Sequence, residues 1–196
     1  HIDNVIIEID GPEVPIMDGS AKVFVDFIEK SGILEQNKNR KFIKVVNEVS
    51  VKEKDSFVSI KPSNQFSIEF EIDFPSNVVN KQTCQLQMIN GNYKKDISRA
   101  RTFGFEHEVN TLRSAGFALG GSLSNAVVVG NNTVLNKEGL RYEDEFVRHK
   151  ILDSIGDLYL AGGPVLGYFT GKKSGHSLNN KLLKKLLNNL NNWELI

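Results

Sequence analysis

The spacing of apolar positions changes period along the chain, and each change marks a different kind of element. Val5, Ile6, Ile7 and Ile9 form a β-rich run leading into the turn pair Gly11-Pro12, which predicts a strand over residues 5–9. After Pro15-Ile16-Met17-Asp18-Gly19, Ser20 stands where it can cap a helix. Val23, Phe24, Phe27 and Ile28 give that helix one apolar face, and Gly32 stops it. The polar stretch Glu35 to Arg40 predicts a linker. From Phe42 the period becomes two: Val45, Val49 and Val51 lead to a turn over residues 52–56, and Phe57 to Ile60 return as the second arm of a hairpin. Phe66, Ile68, Phe70 and Ile72 alternate with Ser67, Glu69, Glu71 and Asp73, the cleanest amphipathic strand in the chain. Cys84-Gln85-Leu86-Gln87-Met88 also alternates, and predicts a strand over Leu86 to Ile89.

Helical spacing then takes over. Phe105 to Ala115 predicts a helix ending at Gly116, and Ala126 to Val129 with Thr133 to Leu135 predicts a short hairpin about Gly130-Asn131-Asn132. Glu143 to Ala161 reads as a long helix and Val165 to Phe169 as a strand. Leu178 to Leu190 reads as a last amphipathic helix with Leu182, Leu183, Leu186, Leu187 and Leu190 on its face. Antiparallel strands followed by helices predict an α+β fold, a two-layer sandwich with helices on one face of the sheet. The Asn-rich tail, Asn188-Asn189 and Asn191-Asn192, is compositional bias.

Composition narrows the class of partner. Lys+Arg and Asp+Glu balance at 24 each, so no global basic field favours nucleic acid. No apolar run approaches the roughly 18 to 20 residues that span a bilayer, so no stable membrane insertion is expected. The single cysteine forms no internal disulfide and reads as a core or half-buried thiol rather than a nucleophile. The chain opens His1-Ile2-Asp3-Asn4 without Met, directly into a strand-like run, and is expected to lack its beginning.

The chemistry concentrates late in the chain. On a helix His149, Asp153 and Asp157 share one face, opposite Ile151, Leu152, Ile155 and Leu158. A His and a carboxylate four residues apart both reach one zinc ion at roughly 2.0–2.2 Å. By spacing alone an ordinary i,i+4 ion pair on a solvated face accounts better for the two, since two ligands make no metal site. His176, after Gly175 and just before a helix, suits a general acid or a stabiliser of negative charge, and equally a solvent-exposed cap residue. Lys172 and Lys173 suit a phosphate or plain surface. Thr102, Phe103 and Phe105 suit an apolar channel with a hydroxyl at its mouth, or core packing. Gly120-Gly121 permits close backbone approach to a ligand or a tight turn, and lacks the spacing of a dinucleotide or phosphate-loop fingerprint.

Six runs, in this order, resemble the UDP-3-O-acyl-N-acetylglucosamine deacetylases, zinc amidases at the committed step of lipid A synthesis. They are Pro15 to Ser20, Ser98 to Phe105, Leu119 to Ser122, Leu140 to Phe146, His149 to Leu160 and Ser174 to Asn180. The resemblance implies hydrolysis of the N-acetyl group of an acylated UDP-amino sugar, with Zn2+ held by His149 and Asp153. It implies His176 as a charged imidazole at the scissile amide, oriented by Asp157, with Thr102 at the oxyanion. Phe103 would meet the acyl chain, Lys150 and Lys173 would lie towards diphosphate and sugar, and Gly121 would border the substrate. A cytoplasmic monomer is implied, with two domains of similar topology flanking the site. Residues 1–34 would finish the first domain, 35–40 link, and 41–196 form the second.

The sequence departs from the family pattern in two places. The Glu-His pair expected upstream of Ile2, a general base and a third zinc ligand, is absent from the chain. His1 abuts the strand and is no substitute, so the chain alone is expected to be inactive. Asp73-Phe74-Pro75-Ser76 lacks the expected His-Pro order, which leaves the uridine contacts undefined. Two other classes compete: a catalytically silent α+β binding module, and a zinc amidase acting on another N-acyl substrate.

Overall fold

A computed structural model describes residues 2–89, 91–116 and 118–196; His1, weighed above as a ligand, lies outside them. In chain order the elements are α1 (Lys22–Ser31), β1 (Ile43–Val45), β2 (Val49–Glu53), β3 (Ser56–Lys61), β4 (Ser67–Asp73), β5 (Lys81–Gln87), β6 (Phe103–Phe105), α2 (Val109–Ser114), β7 (Val127–Val129), α3 (Glu145–Tyr159), β8 (Val165–Leu166), β9 (Tyr168–Lys172), α4 (His176–Leu187) and β10 (Trp193–Leu195).

The main sheet has the order β2-β3-β9-β4-β5. Its neighbours run antiparallel except β9 and β4, which are parallel. The period-two pattern decides its faces. Val58, Ile60, Ile68, Phe70 and Phe169 lose all contact with solvent, and α3 and α4 cover the sheet with Phe146, Val147, Ile151, Leu182 and Leu186. Each such side chain contributes about 1.5–3 kcal/mol by leaving water. Away from this core, Glu71 pairs with Lys81 and Lys172, and the Tyr168 hydroxyl donates to Glu69 at 2.5 Å. The result is the α+β sheet-and-helix layering that the pattern predicts. β1, β8 and β10 make a second, three-stranded sheet, and β6 pairs with β7 in parallel.

Several elements differ from their predicted form, each for a physical reason. Residues 5–9 form no strand with any of the described residues, and Ile6 is 91% exposed; apolarity without a partner makes no strand. The run Val165 to Phe169 divides at Gly167, one half joining β1 and the other entering the main sheet between β3 and β4. A Cβ at Gly167 would press on Ile60 and Val45 at 3.0 Å, so the crossing needs glycine. Residues 105–115 split into the end of β6, a 3-10 turn over Glu106–Glu108 and the short α2. The hairpin about Gly130 shrinks to one bridge between Val129 and Val134, because β7 takes β6 as its partner. β5 starts at Lys81, ahead of the predicted run, and Ile89 lies beyond its end. Helix α4 starts at His176 and stops at Leu187, leaving Leu190 77% exposed. The tail closes as β10 on β1, a strand the asparagine-rich composition hides. Ser20 sits one residue before the cap position of α1, yet its hydroxyl accepts the Lys22 amide at 3.2 Å.

Candidate functional site

Helix α3 presents its polar stripe where the sequence spacing put it. His149 is nearly buried, and its Nδ1 lies 3.0 Å from the Ala100 carbonyl oxygen. A carbonyl only accepts, so Nδ1 carries a proton, and in the neutral ring that leaves the Nε2 lone pair available. Nε2 faces Asp153 Oδ1 at 3.4 Å, and the other Asp153 oxygen accepts from Lys150 Nζ at 2.9 Å. One turn on, Asp157 accepts from His176 Nδ1 at 2.9 and 3.0 Å. The His176 imidazole, 68% exposed, turns its remaining face to solvent while Asp157 is largely covered.

A hydrogen-bond relay fastens the His176 turn to α3. Asn179, buried in the first turn of α4, donates to Asp157 Oδ2 at 2.8 Å and to Ser154 Oγ at 3.1 Å, and its carbonyl accepts from Ser174 Oγ at 2.9 Å. Each polar atom of that buried amide has a partner, as burial demands. The segment opposite His149 is held as firmly. The Thr102 amide donates to Gly19 at 2.7 Å and its carbonyl accepts from Val127 at 2.8 Å. Gly19 has a positive φ of 80°, and a Cβ there would collide with the Asn125 carbonyl. Arg141 reaches from the loop before α3 to Asp18 at 2.7 Å and to Ser20 and Arg99, closing the Asp18-Gly19-Ser20 turn onto residues 99–102. Burial pushes the Asp18 carboxyl up, but hydrogen bonds from Arg141 and Ser20 outweigh it and hold the group below its ordinary value.

Behind this, Glu145 in the first turn of α3 is completely buried. It accepts from the Arg101 amide at 2.9 Å, Arg101 Nε at 2.8 Å, Arg101 Nη2 at 3.1 Å and the Arg141 amide at 2.6 Å. Arg101 also donates to Glu138 and to the Gly139 carbonyl. Phe103 packs edge-on against Phe146 with centroids 5.0 Å apart, against Phe74 at 5.7 Å and against the His149 ring at 6.5 Å.

His149, Lys150, Asp153, Asp157, His176 and Phe103 therefore gather about one side of α3. Thr102 lies just before β6, next to the residue whose amide Glu145 grips. Lys173, with a φ of 49°, pairs with Asp73 at 2.5 Å, which pushes its ammonium pKa up. It lines, with His176 and Ser56, an open recess of about 730 Å³. Gly121 stands apart: its amide donates to Ala118 and its carbonyl accepts from Arg113. His149 and Asp153 supply a nitrogen and an oxygen donor of the kind zinc takes. Among the described residues no group of three His, Cys, Asp or Glu side chains is gathered for a cation.

Sequence reasoning missed the Ala100 carbonyl, Ser154, Asn179 and the Arg101–Glu145 pair. Asn179 lies three residues past His176 and Ser154 three before Asp157, helical spacings that signal shared faces. No local signal joins Arg101 to Glu145, 44 residues apart.

Residues 1–188 match the family model of UDP-3-O-acyl N-acetylglycosamine deacetylase. The chain is 50% identical over its whole length to the UDP-3-O-acyl-N-acetylglucosamine deacetylase of Acidithiobacillus ferrooxidans, covering 65% of that protein. It is 47% identical to the protein of the same name from Psychrobacter cryohalolentis, covering 62%, and 49% identical to that from Shewanella oneidensis, covering 64%. The chain thus spans just under two thirds of the length of these curated relatives.

Proposed function

The chain belongs to the UDP-3-O-acyl N-acetylglycosamine deacetylase family, and on that footing we propose that it carries part of a zinc-dependent site. That site removes the N-acetyl group of a 3-O-acylated UDP-N-acetylglucosamine, releasing acetate and the free amine, in the lipid A route. The observation that carries the reading is the His149 imidazole. Its Nδ1–H is committed to the Ala100 carbonyl, so Nε2 is directed at the Asp153 side and the pair forms two ligands of one ion. Zinc, when bound, supplies Lewis acidity to the acetyl carbonyl and to a water at neutral pH.

The chain's own residues supply the rest. The Asp157 carboxylate accepts from Nδ1 and fixes the His176 ring with its Nε2 edge towards the departing sugar amine, where the imidazole serves as general acid. Thr102, tied at both its amide and its carbonyl, offers a hydroxyl beside the developing oxyanion. Phe103, set in its aromatic cluster, gives the acyl chain an apolar wall. Lys150 and Lys173 bring positive charge to the diphosphate side. A third donor and a base are expected from the Glu-His pair that the family resemblance puts upstream of Ile2. The single buried thiol suits the reducing cytoplasm, and among the described residues no helix is long and apolar enough to cross a membrane.

Metal analysis of the full-length protein tests the reading. About one zinc per chain is expected, lost in His149→Ala and in Asp153→Ala. Zinc retained equally in both variants would overturn the assignment. Deacetylation of the 3-O-acylated UDP-sugar should exceed that of its unacylated counterpart, and equal rates would remove Phe103 from the acyl wall.

A further inference from the structure

We propose that Glu145 is a positioning residue for the candidate metal centre, acting on His149 through the single peptide group between Ala100 and Arg101. The proposal rests on His149 as the zinc ligand, but its geometry involves no metal. The N–H of that peptide group belongs to Arg101 and donates to Glu145 Oε1 at 2.9 Å. Its C=O belongs to Ala100 and accepts from His149 Nδ1 at 3.0 Å. In a trans peptide the C=O and N–H point in opposite directions within one plane. Glu145 and His149, one turn apart on α3, therefore clasp the same peptide from its two edges.

The clasp does more than join the segment before β6 to a helix. An anion on the N–H side polarises the amide and strengthens the carbonyl as an acceptor, since chains of hydrogen bonds reinforce one another in a low dielectric. A stronger acceptor holds the proton on Nδ1, which fixes the tautomer that leaves Nε2 free and makes it the more basic ligand. The arrangement is a carboxylate–histidine relay with a peptide group inserted. Arg101 completes the case. Its guanidinium neutralises the buried carboxylate through Nε and Nη2 and is itself held by Glu138 and Gly139. The Arg141 amide also donates to Oε2, so each carboxylate oxygen accepts two N–H groups. A glutamine at residue 145 could satisfy the shape of the site but would set an NH2 group against these N–H donors.

The two roles of Glu145, packing and positioning, separate in two variants of the full-length protein. Glu145→Gln removes the anion from the peptide, whereas Arg101→Lys removes the guanidinium fork and leaves the peptide clasp in place. With 15N-labelled histidine in the metal-free protein, the wild type should show His149 with a protonated Nδ1 and a bare Nε2. Glu145→Gln should mix the two tautomers and weaken zinc binding about 10- to 100-fold, the range for lost outer partners of a ligand. Arg101→Lys should melt lower than the wild type yet keep the tautomer. A folded Glu145→Gln with wild-type tautomer and zinc affinity would overturn the proposal. Should that variant not fold, Glu145→Asp, which draws the charge back from the peptide, is measured in its place; a wild-type tautomer there overturns the proposal too. Failure of both to fold would assign Glu145 to the core alone, which also overturns it. If the wild type binds no zinc, the proposed function fails while the tautomer measurement still decides the role of Glu145.

Discussion

Gly171 lies in β9 directly beside Phe70 of β4, and a methyl group added to it would fall into the Phe70 ring, against Cε2 and Cδ2 and within 3.1 Å of Cζ. The ring has nowhere to go. Phe70 is wholly buried, and β4 is fixed between β9 and β5. Gly171→Ala is therefore an overpacking substitution, with an expected cost of about 1–3 kcal/mol. For a chain of 196 residues, each kcal/mol moves the melting temperature by about 2–4 °C, so the variant should melt about 2–12 °C lower. Thermal melts and denaturant titrations at unchanged m measure it. The cause is isolated by adding Phe70→Leu, which withdraws the ring from the collision. The double variant should then be more stable than the sum of the two single losses by at least about 0.5 kcal/mol. A Gly171→Ala protein within about 0.5 kcal/mol of wild type, as for an ordinary surface change, or a strictly additive double variant, would refute the steric account.

Two further outcomes concern titrating groups. Burial raises the Cys84 thiol to about 11, and only the thiolate reacts. The native protein should thus be modified by Ellman's reagent at neutral pH much more slowly than the denatured chain, and equal rates would mean that Cys84 is not shielded. Asp18 has a folded-state pKa below its ordinary 3.8, despite the opposing effect of burial, because Arg141 and Ser20 donate to it. A depressed carboxylate contributes stability above its unfolded value and loses that contribution as pH falls through the folded one. Asp18→Asn should accordingly lower stability at neutral pH and lose this deficit below about pH 4, where the unfolded carboxyl is protonated. A deficit unchanged through that acid range would contradict the Arg141 pairing.

The parts of this molecule that were legible in the sequence are those whose signal is local and repeated. β4 alternates because one of its faces meets the helices, and Ile68, Phe70 and Ile72 report that directly. The stripe His149, Asp153 and Asp157 is equally plain, since helical spacing alone sets it on one face. What was hidden depends on residues far away or on atoms that have no letter. Val165 to Phe169 looks like one strand, and nothing in those five residues says that Val45 and Ile60 crowd Gly167 and send its two sides to different sheets. Trp193–Leu195 becomes a strand only because β1 offers an edge. Residues 5–9 have the composition of a strand and, among the described residues, no strand partner. At the site, the group that fixes the His149 tautomer is a backbone carbonyl, and any residue but one of awkward shape could supply it.

The insertion of β9 has a consequence for how the protein is made. β3 and β4 are consecutive in the chain but never pair; the gap between them is filled by a strand about one hundred residues later, as the Tyr168–Glu69 contact at a separation of 99 residues records. On the ribosome, the inner edges of β3 and β4 therefore wait, unpaired and flanked by Ile60, Ile68 and Phe70, until β9 has emerged. β1 waits longer still, its pairing with β10 spanning 150 residues. Translation pauses or truncations between residues 90 and 165 would leave a nascent chain with an open slot in its sheet, the form most in need of a chaperone. Because β9 runs straight into the turn bearing His176, the strand that finally closes the slot also delivers the last polar group to the site. Filling of the slot and the arrival of His176 against Asp157 are thus coupled in the order of synthesis.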